Sequence, residues 1–222
     1  MNRLAIFARV PVSGRVKTRL SPAIPLPIVA QLYRAMLADA LEVVASSGTG
    51  QVSLYWDSIG EEPSDPALPG VAVRHQRGAE LGERLASAFG ELLAEPGDRA
   101  IVMGSDCPDL GPAVLVEAFA ALEDRDLVLG PARDGGYYLI GLRRPAPALF
   151  EGVSWGTDQV LGQTLGRAEG MGLRVARLAV LDDIDTPDDL VRFVARRCVS
   201  PPGPGARTEE ALRDLGLLPG RG

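Results

Sequence analysis

Histidine, lysine and cysteine are scarce in this chain: its 222 residues include one histidine, a single lysine and two cysteines, with aromatic side chains at 5%. With His75 as the lone imidazole, a Ser-His-Asp triad lacks support and a multi-histidine metal site is excluded. Cys107 and Cys198 are too few and too far apart in sequence for a disulfide framework or a thiolate metal cage, so reduced thiols are expected. No apolar run approaches the ~20 residues that cross a bilayer. Leu4 already opens the first strand-like segment with no signal-peptide-like stretch before it, so a cytoplasmic protein with no membrane partner is expected. Basic residues are in deficit too, 23 against 29 acidic ones for a net charge of −6. That balance argues against a broad electrostatic grip on nucleic acid or anionic lipid, and any bound anion must be held locally. Chemistry has to rest on carboxylates, arginines, one lysine and backbone amides.

Apolar residues make up 46% and charged residues 23%, the balance of an ordinary globular domain long enough to bury a core. Strand-like apolar runs alternate with helical patterns, which predicts an α/β class: one three-layer α/β/α domain over 1–198 with a mostly parallel central sheet. Strands are expected over Leu4 to Ala8, Val52 to Trp56, Val71 to Val73, Ala100 to Met103, Leu127 to Leu129, Tyr137 to Leu142 and Arg174 to Leu178. Helices are expected over Ile28 to Val44, Ala79 to Leu93, Val114 to Leu122, Gln159 to Ala168 and Pro187 to Arg196. A Pro- and acid-rich loop is expected at Gly60 to Pro69. Beyond Cys198, Ser200 to Ala206 is almost entirely proline and glycine, so 199–222 reads as linker and C-terminal tail, with Thr208 to Leu215 a candidate appended helix.

Four segments carry chemistry. The loop after the first strand, Arg9 to Arg19, holds four cations and no acid in eleven positions, a composition suited to a polyphosphate. Lys17 is the only lysine among 23 basic residues, and a phosphate-binding lysine needs its compact point charge rather than a planar fork. The bland alternative is a solvated basic loop; on either reading Lys17 is expected to be exposed and to contribute little to folding. The second segment, Gly104-Ser105-Asp106-Cys107-Pro108-Asp109, ends a buried strand at the place where open α/β sheets bind ligands. Asp106 is placed there to hold Mg²⁺ (or Mn²⁺), which takes few protein oxygens and the rest from water and phosphate. Asp109 alternatively caps the helix that begins near Pro112, and an Asx-turn serves either acid.

The third segment runs from Leu181 to Leu190 and puts five carboxylates within eight residues. Thr186 or Asp185 is a candidate cap for the last helix, with Asp188 and Asp189 favoured by its dipole. Capping leaves the crowding unexplained, since like charges repel, and a bound cation would relieve it; Asp185 is the expected second metal carboxylate. The fourth, Arg133-Asp134-Gly135-Gly136-Tyr137-Tyr138, pairs glycines after an acid, allowing a close backbone approach to a ligand or simply a hairpin-like turn. Further on, Thr157 is either an N-cap or an acceptor contact, and Trp155 a candidate wall of an acceptor pocket.

Taken in order, Lys17-Thr18-Arg19-Leu20, Ser105-Asp106-Cys107-Pro108-Asp109-Leu110, Asp134-Gly135-Gly136-Tyr137-Tyr138 and Trp155-Gly156-Thr157 resemble a bacterial glycosyltransferase-like family of the nucleotide-diphospho-sugar transferase superfamily. The resemblance covers residues 3–197 and implies a GT-A, Rossmann-like fold. That superfamily also contains 2-phospholactate guanylyltransferases and molybdenum-cofactor nucleotidyltransferases. Carried over, a nucleotide-phosphate role falls on Arg9, Gly14, Arg15, Lys17, Arg19 and Ser105, and a shared metal on Asp106 and Asp185. The acceptor would meet Gly135, Gly136, Trp155 and Thr157, with Asp134 positioning it or acting as base. Two features depart from the relatives: Gly14 stands alone where many have a glycine-rich run, and the second acid of the central motif is displaced by one position from Asp-x-Asp.

The overall resemblance implies metal-dependent glycosyl transfer from a nucleotide-diphospho-sugar to a small acceptor. The alternative is nucleotidylyl transfer, NTP plus a phosphorylated small molecule with release of pyrophosphate, which the lone lysine suits better. A nucleotide-binding module without turnover is a third reading. Each takes a nucleotide and a small molecule as partners, with the chain a monomer or homodimer.

Overall fold

A computed structural model describes residues 1–57, 71–199 and 203–219; the loop expected at 60–69 lies outside the described residues. Strands β1 (Asn2–Ala8), β2 (Gln51–Trp56), β3 (Ala72–His75), β4 (Arg99–Met103), β5 (Leu127–Pro131), β6 (Tyr137–Leu142) and β7 (Val175–Arg177) form one sheet in the order β3-β2-β1-β4-β6-β5-β7. Only β6 runs against its neighbours β4 and β5; the other pairings are parallel. The turn between β5 and β6 is too short for a crossover, so the two must pair antiparallel. Central β1 is buried on both faces, as its unbroken apolar run requires: Leu4, Ile6 and Ala8 face one core cluster and Ala5 the other.

Helices α1 (Leu26–Ser47) and α3 (Pro112–Ala121) cover the first face, and α2 (Leu81–Leu92) and α4 (Val160–Gly170) the second. This is the expected three-layer sandwich. Helix α1 starts after Pro25 and stops at Gly48, whose φ of 61 ends the helix in the left-handed region.

A third cluster positions the site. Val16 and Leu20 from the loop after β1 pack with Val29, Leu32 and Met36 of α1 and with Ile184, Leu190 and Phe193 of the segment ending in α5 (Pro187–Val199). Two loops far apart in sequence are thereby pressed together.

Of the span expected as linker and tail, residues 203–219 hold helix α6 (Ala206–Asp214), which is docked on the domain rather than trailing from it. Leu212 and Leu218 are buried in the third cluster. The buried Asp39 of α1 caps α6 from outside: its carboxylate accepts from Arg207 N at 2.9 Å, Thr208 N at 2.8 Å and Thr208 Oγ1 at 2.6 Å. Composition around the Pro/Gly stretch concealed this, because the docking depends on a partner 168 residues away. Replacing Asp39 by Ala orphans three donors and should lower stability by about 2 kcal/mol; urea unfolding indistinguishable from wild type would show that α6 is not held by this cap.

Candidate active site

Because β1, β2, β3 and β4 are mutually parallel, the segments that follow them emerge at one edge of the sheet. Between them lies a cleft of about 460 Å³ whose walls include Arg9, Lys17, Tyr33, Asp57, Asp106 and Asp185. Such an edge is where open α/β sheets take ligands.

Lys17 sits at its centre. Its Nζ donates to Asp106 Oδ2 at 2.7 Å and to Asp185 Oδ1 at 3.2 Å, and its side chain is only 8% exposed. Arg19 reaches the other oxygen of Asp185 at 2.9 Å. The sequence expectation of an exposed loop lysine is therefore corrected: flanking Val16 and Leu20 are buried and draw the lysine in with them. Lys17 is also the one non-glycine residue at positive φ among the described residues, at φ 44, a conformation that costs a side-chain-bearing residue energy and persists only where its surroundings enforce it. Burial pulls the ammonium pKa down, but Asp106 and then Asp185 outweigh it and hold it above its usual value. Burial likewise lifts the Asp185 carboxyl, yet Lys17 and Arg19 prevail and keep it below the usual range.

Three other acids of the 182–189 cluster have separate surroundings. Asp182 is buried against Arg133 and Arg196. Asp189 accepts from Thr186 N at 2.7 Å while Thr186 Oγ1 accepts from Asp189 N at 3.4 Å, so Thr186 is the cap and Asp185 is left for the cleft. Asp183 is pushed up to about 7 by burial and by the nearby Asp106 and Asp134. Most of the crowding that suggested a bound cation is thus relieved by the chain's own arginines and lysine. Asp109 caps nothing; it pairs with Arg196 at 2.8 Å and Arg197 at 2.6 Å, tying the β4 loop to α5. Ile184 N donates to Asp106 O at 2.9 Å, a second tie between the same two segments.

The remaining sequence-predicted residues fall into two groups. Arg9 and Ser105 line the cleft with Lys17, Asp106 and Asp185, whereas Gly14, Arg15 and Arg19 lie on the exposed part of the same loop. Ser105 is buried, and its Oγ is 2.9 Å from Tyr33 Oη. Asp134, Gly135, Gly136, Trp155 and Thr157 are outside the cleft lining. Asp134 accepts from Gly136 N at 2.8 Å in a tight turn. At Gly135, φ 91, a Cβ would come within 2.3 Å of Asp158 O, so that glycine serves a close backbone contact. Trp155 packs edge-on to Tyr137 at 6.4 Å and beside Phe150 at 6.5 Å, and Thr157 Oγ1 donates to Ser154 O at 2.8 Å.

Tyr33, Asp57 and Gly104 are among the cleft residues to which the sequence reading gave no role. Tyr33 Oη accepts from Arg9 N at 2.9 Å as well as meeting Ser105, pinning the ends of β1 and β4 to α1. Asp57 directly follows β2 much as Asp106 comes soon after β4, a signal that was available. Gly104 leaves room for the acid at the sheet edge, since a Cβ there would lie 2.8 Å from Asp106 Oδ1.

Among the described residues no group of three or more His, Cys, Asp or Glu is arranged to hold a metal. Asp106 and Asp185 nonetheless fit a hard divalent cation: both are carboxylates, both face the cleft, and both reach one point. Mg²⁺ commonly rests on one or two carboxylates plus phosphate oxygens. No helix among the described residues is long and apolar enough to cross a membrane.

Two relatives are guanylyltransferases by name. The chain is 28% identical to a 3-phospho-D-glycerate guanylyltransferase of Phenylobacterium zucineum over 90% of each chain. It is 30% identical to a 2-phospho-L-lactate guanylyltransferase of Methanopyrus kandleri, covering 80% of this chain and 84% of that one. A solved structure from Desulfovibrio desulfuricans, described as a nucleotide-diphospho-sugar transferase, superposes with a TM-score of 0.83 at 30% identity, over 97% of this chain and 95% of the other. A Mycobacterium tuberculosis protein solved in complex with manganese shares the fold, with a TM-score of 0.51 at 20% identity over 86% of this chain and 96% of the other. These findings confirm the GT-A-like fold and a transferase, and they favour nucleotidylyl chemistry, the alternative at the level of sequence, over glycosyl transfer. Residues 39–157 match the family model described as "Uncharacterized protein conserved in bacteria (DUF2064)", and the chain belongs to that family, as a nucleotidyltransferase-like enzyme.

Proposed function

We propose that the chain transfers a guanylyl group from GTP to a phosphorylated small carboxylic acid, the class of substrate in the names of its guanylyltransferase relatives. One observation carries the reading: a buried ammonium, Lys17, bracketed by Asp106 and Asp185 in the cleft, within a loop that carries three further cations. In the reaction a phosphate oxygen of the acceptor forms a bond to the α-phosphorus, the α–β bridging P–O bond breaks, and pyrophosphate leaves with the electron pair. Lys17 and Arg19 neutralise the charge that gathers on the departing phosphates, and Arg9 and Arg15 lie along the same loop to hold the triphosphate. A divalent cation held by Asp106 and Asp185, with manganese in a structural neighbour as precedent, would supply further positive charge to phosphate oxygens.

Incubation with Mg²⁺, GTP and 3-phosphoglycerate or 2-phospholactate should release pyrophosphate. Release of a free nucleoside diphosphate from a nucleotide-sugar, without pyrophosphate from any NTP, would restore the glycosyl-transfer reading.

Lys17→Met removes the partner of two half-buried carboxylates. It should weaken GTP binding at least about tenfold and cost about 1 to 3 kcal/mol of stability. Mn²⁺ should then raise the melting temperature of the variant more than that of wild type, because the cation replaces the lost charge; equal shifts in both proteins would separate the lysine from the metal site.

Asp185 titrates below its unfolded value, so its stabilising contribution is present at neutral pH and lost as pH falls through the folded pKa; Lys17, shifted upward, keeps its contribution until alkaline pH. The stability gap between wild type and Asp185→Asn should therefore be constant near neutrality and shrink below about pH 4. A gap that closes already at pH 6 would contradict this pairing.

A further inference from the structure

The cleft continues past the phosphate-binding loop to the ends of β2 and β3, where Asp57 and Gln76 face apolar surface from Phe7, Ala8, Ala79 and Leu81. Asp57 is the most buried of the acids that line the cleft. Its side chain is only 11% exposed, yet Oδ1 has no hydrogen-bond partner among the described residues. Among the described residues, Oδ2 is approached by Arg84 Nη1 at 3.4 Å and Arg9 Nε at 3.6 Å. The residue itself is fixed, because Asp57 N donates to Ala8 O at 2.8 Å and so extends the β1–β2 ladder. A rigidly placed, nearly buried carboxylate with an unmatched oxygen is missing a donor.

We propose that this donor belongs to the nucleobase, and that Asp57 selects guanine. The inference rests on the nucleotidylyl-transfer reading of the same cleft. Asp106 follows β4 and Asp57 follows β2, with β1 between them, so two strand spacings separate them along the edge, about 10 Å. A nucleoside spans that separation between its 5′-phosphate and the outer edge of its base. An ionised carboxylate only accepts hydrogen bonds. Guanine presents two neighbouring donors, N1–H and the exocyclic amine, to such a group. Adenine and cytosine each set an acceptor nitrogen beside their amine, and uracil flanks its single N–H with carbonyls. The apolar walls suit the ring faces. Ribose hydroxyls are the other donors a nucleotide carries, and 2′-deoxy-GTP distinguishes them.

Calorimetric titration of the full chain with Mg²⁺ tests the assignment. Wild type should bind GTP about ten- to a hundredfold tighter than ITP, which lacks the amine, and than ATP, with 2′-deoxy-GTP within about twofold of GTP. Asp57→Asn, nearly isosteric and checked for an unchanged melting profile, should lose that preference and favour XTP, whose 2-oxo group accepts from the new amide. Wild type that binds GTP and ITP equally overturns the assignment without any variant, and so does a folded Asp57→Ala variant that retains full GTP preference. A penalty for 2′-deoxy-GTP that disappears in Asp57→Asn gives the carboxylate to the ribose and equally overturns it. Failure of wild type to bind any nucleotide would bring down the nucleotidylyl reading itself, a result distinct from loss of base selectivity alone.

Discussion

The cleft is held together by one ammonium group between two carboxylates. Asp106 arrives from β4 and Asp185 from the segment before α5, and without Lys17 two negative charges would face each other across a half-buried gap. A lysine suits this place better than an arginine. One nitrogen meets oxygens of two different residues at 2.7 and 3.2 Å, whereas a planar guanidinium is built to grip one carboxylate with two parallel bonds. That requirement accounts for the single lysine in a chain that otherwise relies on arginine. Its left-handed backbone is held by the burial of Val16 and Leu20 on either side, so the hydrophobic cluster under the loop and the ion pairs above it support each other.

The same two carboxylates are the ones suited to a divalent cation, so the ammonium and the metal draw on the same oxygens. In the proposed reaction this has a use. Nucleotide phosphates would offer Lys17 a new set of oxygens if Asp106 and Asp185 were to hold the cation that accompanies them. Neither carboxylate would then be left without a positive partner.

Much of this was readable from the chain. An apolar run buried on both faces marks β1 and β4 as central strands, and a polar loop at the end of each puts Lys17 and Asp106 at one edge. The unreadable parts depend on distant partners. Burial of Lys17 follows from contacts of its neighbours with Ile184 and Phe193, and a basic loop alone reads as solvated. The docking of α6 follows from Asp39, which looks in sequence like any polar residue on a helix. The acids of 182–189 were legible as a cluster but not as individuals, because Arg133 and Arg196, which pair with Asp182, are brought to it by the fold. Asp57 is different: the rule that found Asp106, an acid just past a buried parallel strand, applies to it equally.

Glycosyl transfer and nucleotidylyl transfer both seat a diphosphate beside a cation and differ in the atom attacked, so the site for the second substrate carries the distinction. The residues expected to meet the acceptor, Asp134, Gly135, Gly136, Trp155 and Thr157, are not among those that line the cleft. Trp155 packs against Tyr137 and Phe150, Gly135 lies close to Asp158, and Thr157 is bonded to Ser154. The cations, by contrast, concentrate where phosphates would lie: Arg9 and Lys17 in the cleft wall, Arg19 on Asp185 beside it. A second substrate that is itself an anion, carrying the phosphate that attacks, is attracted to that loop by the same charge that holds the triphosphate. A neutral acceptor would derive nothing from it.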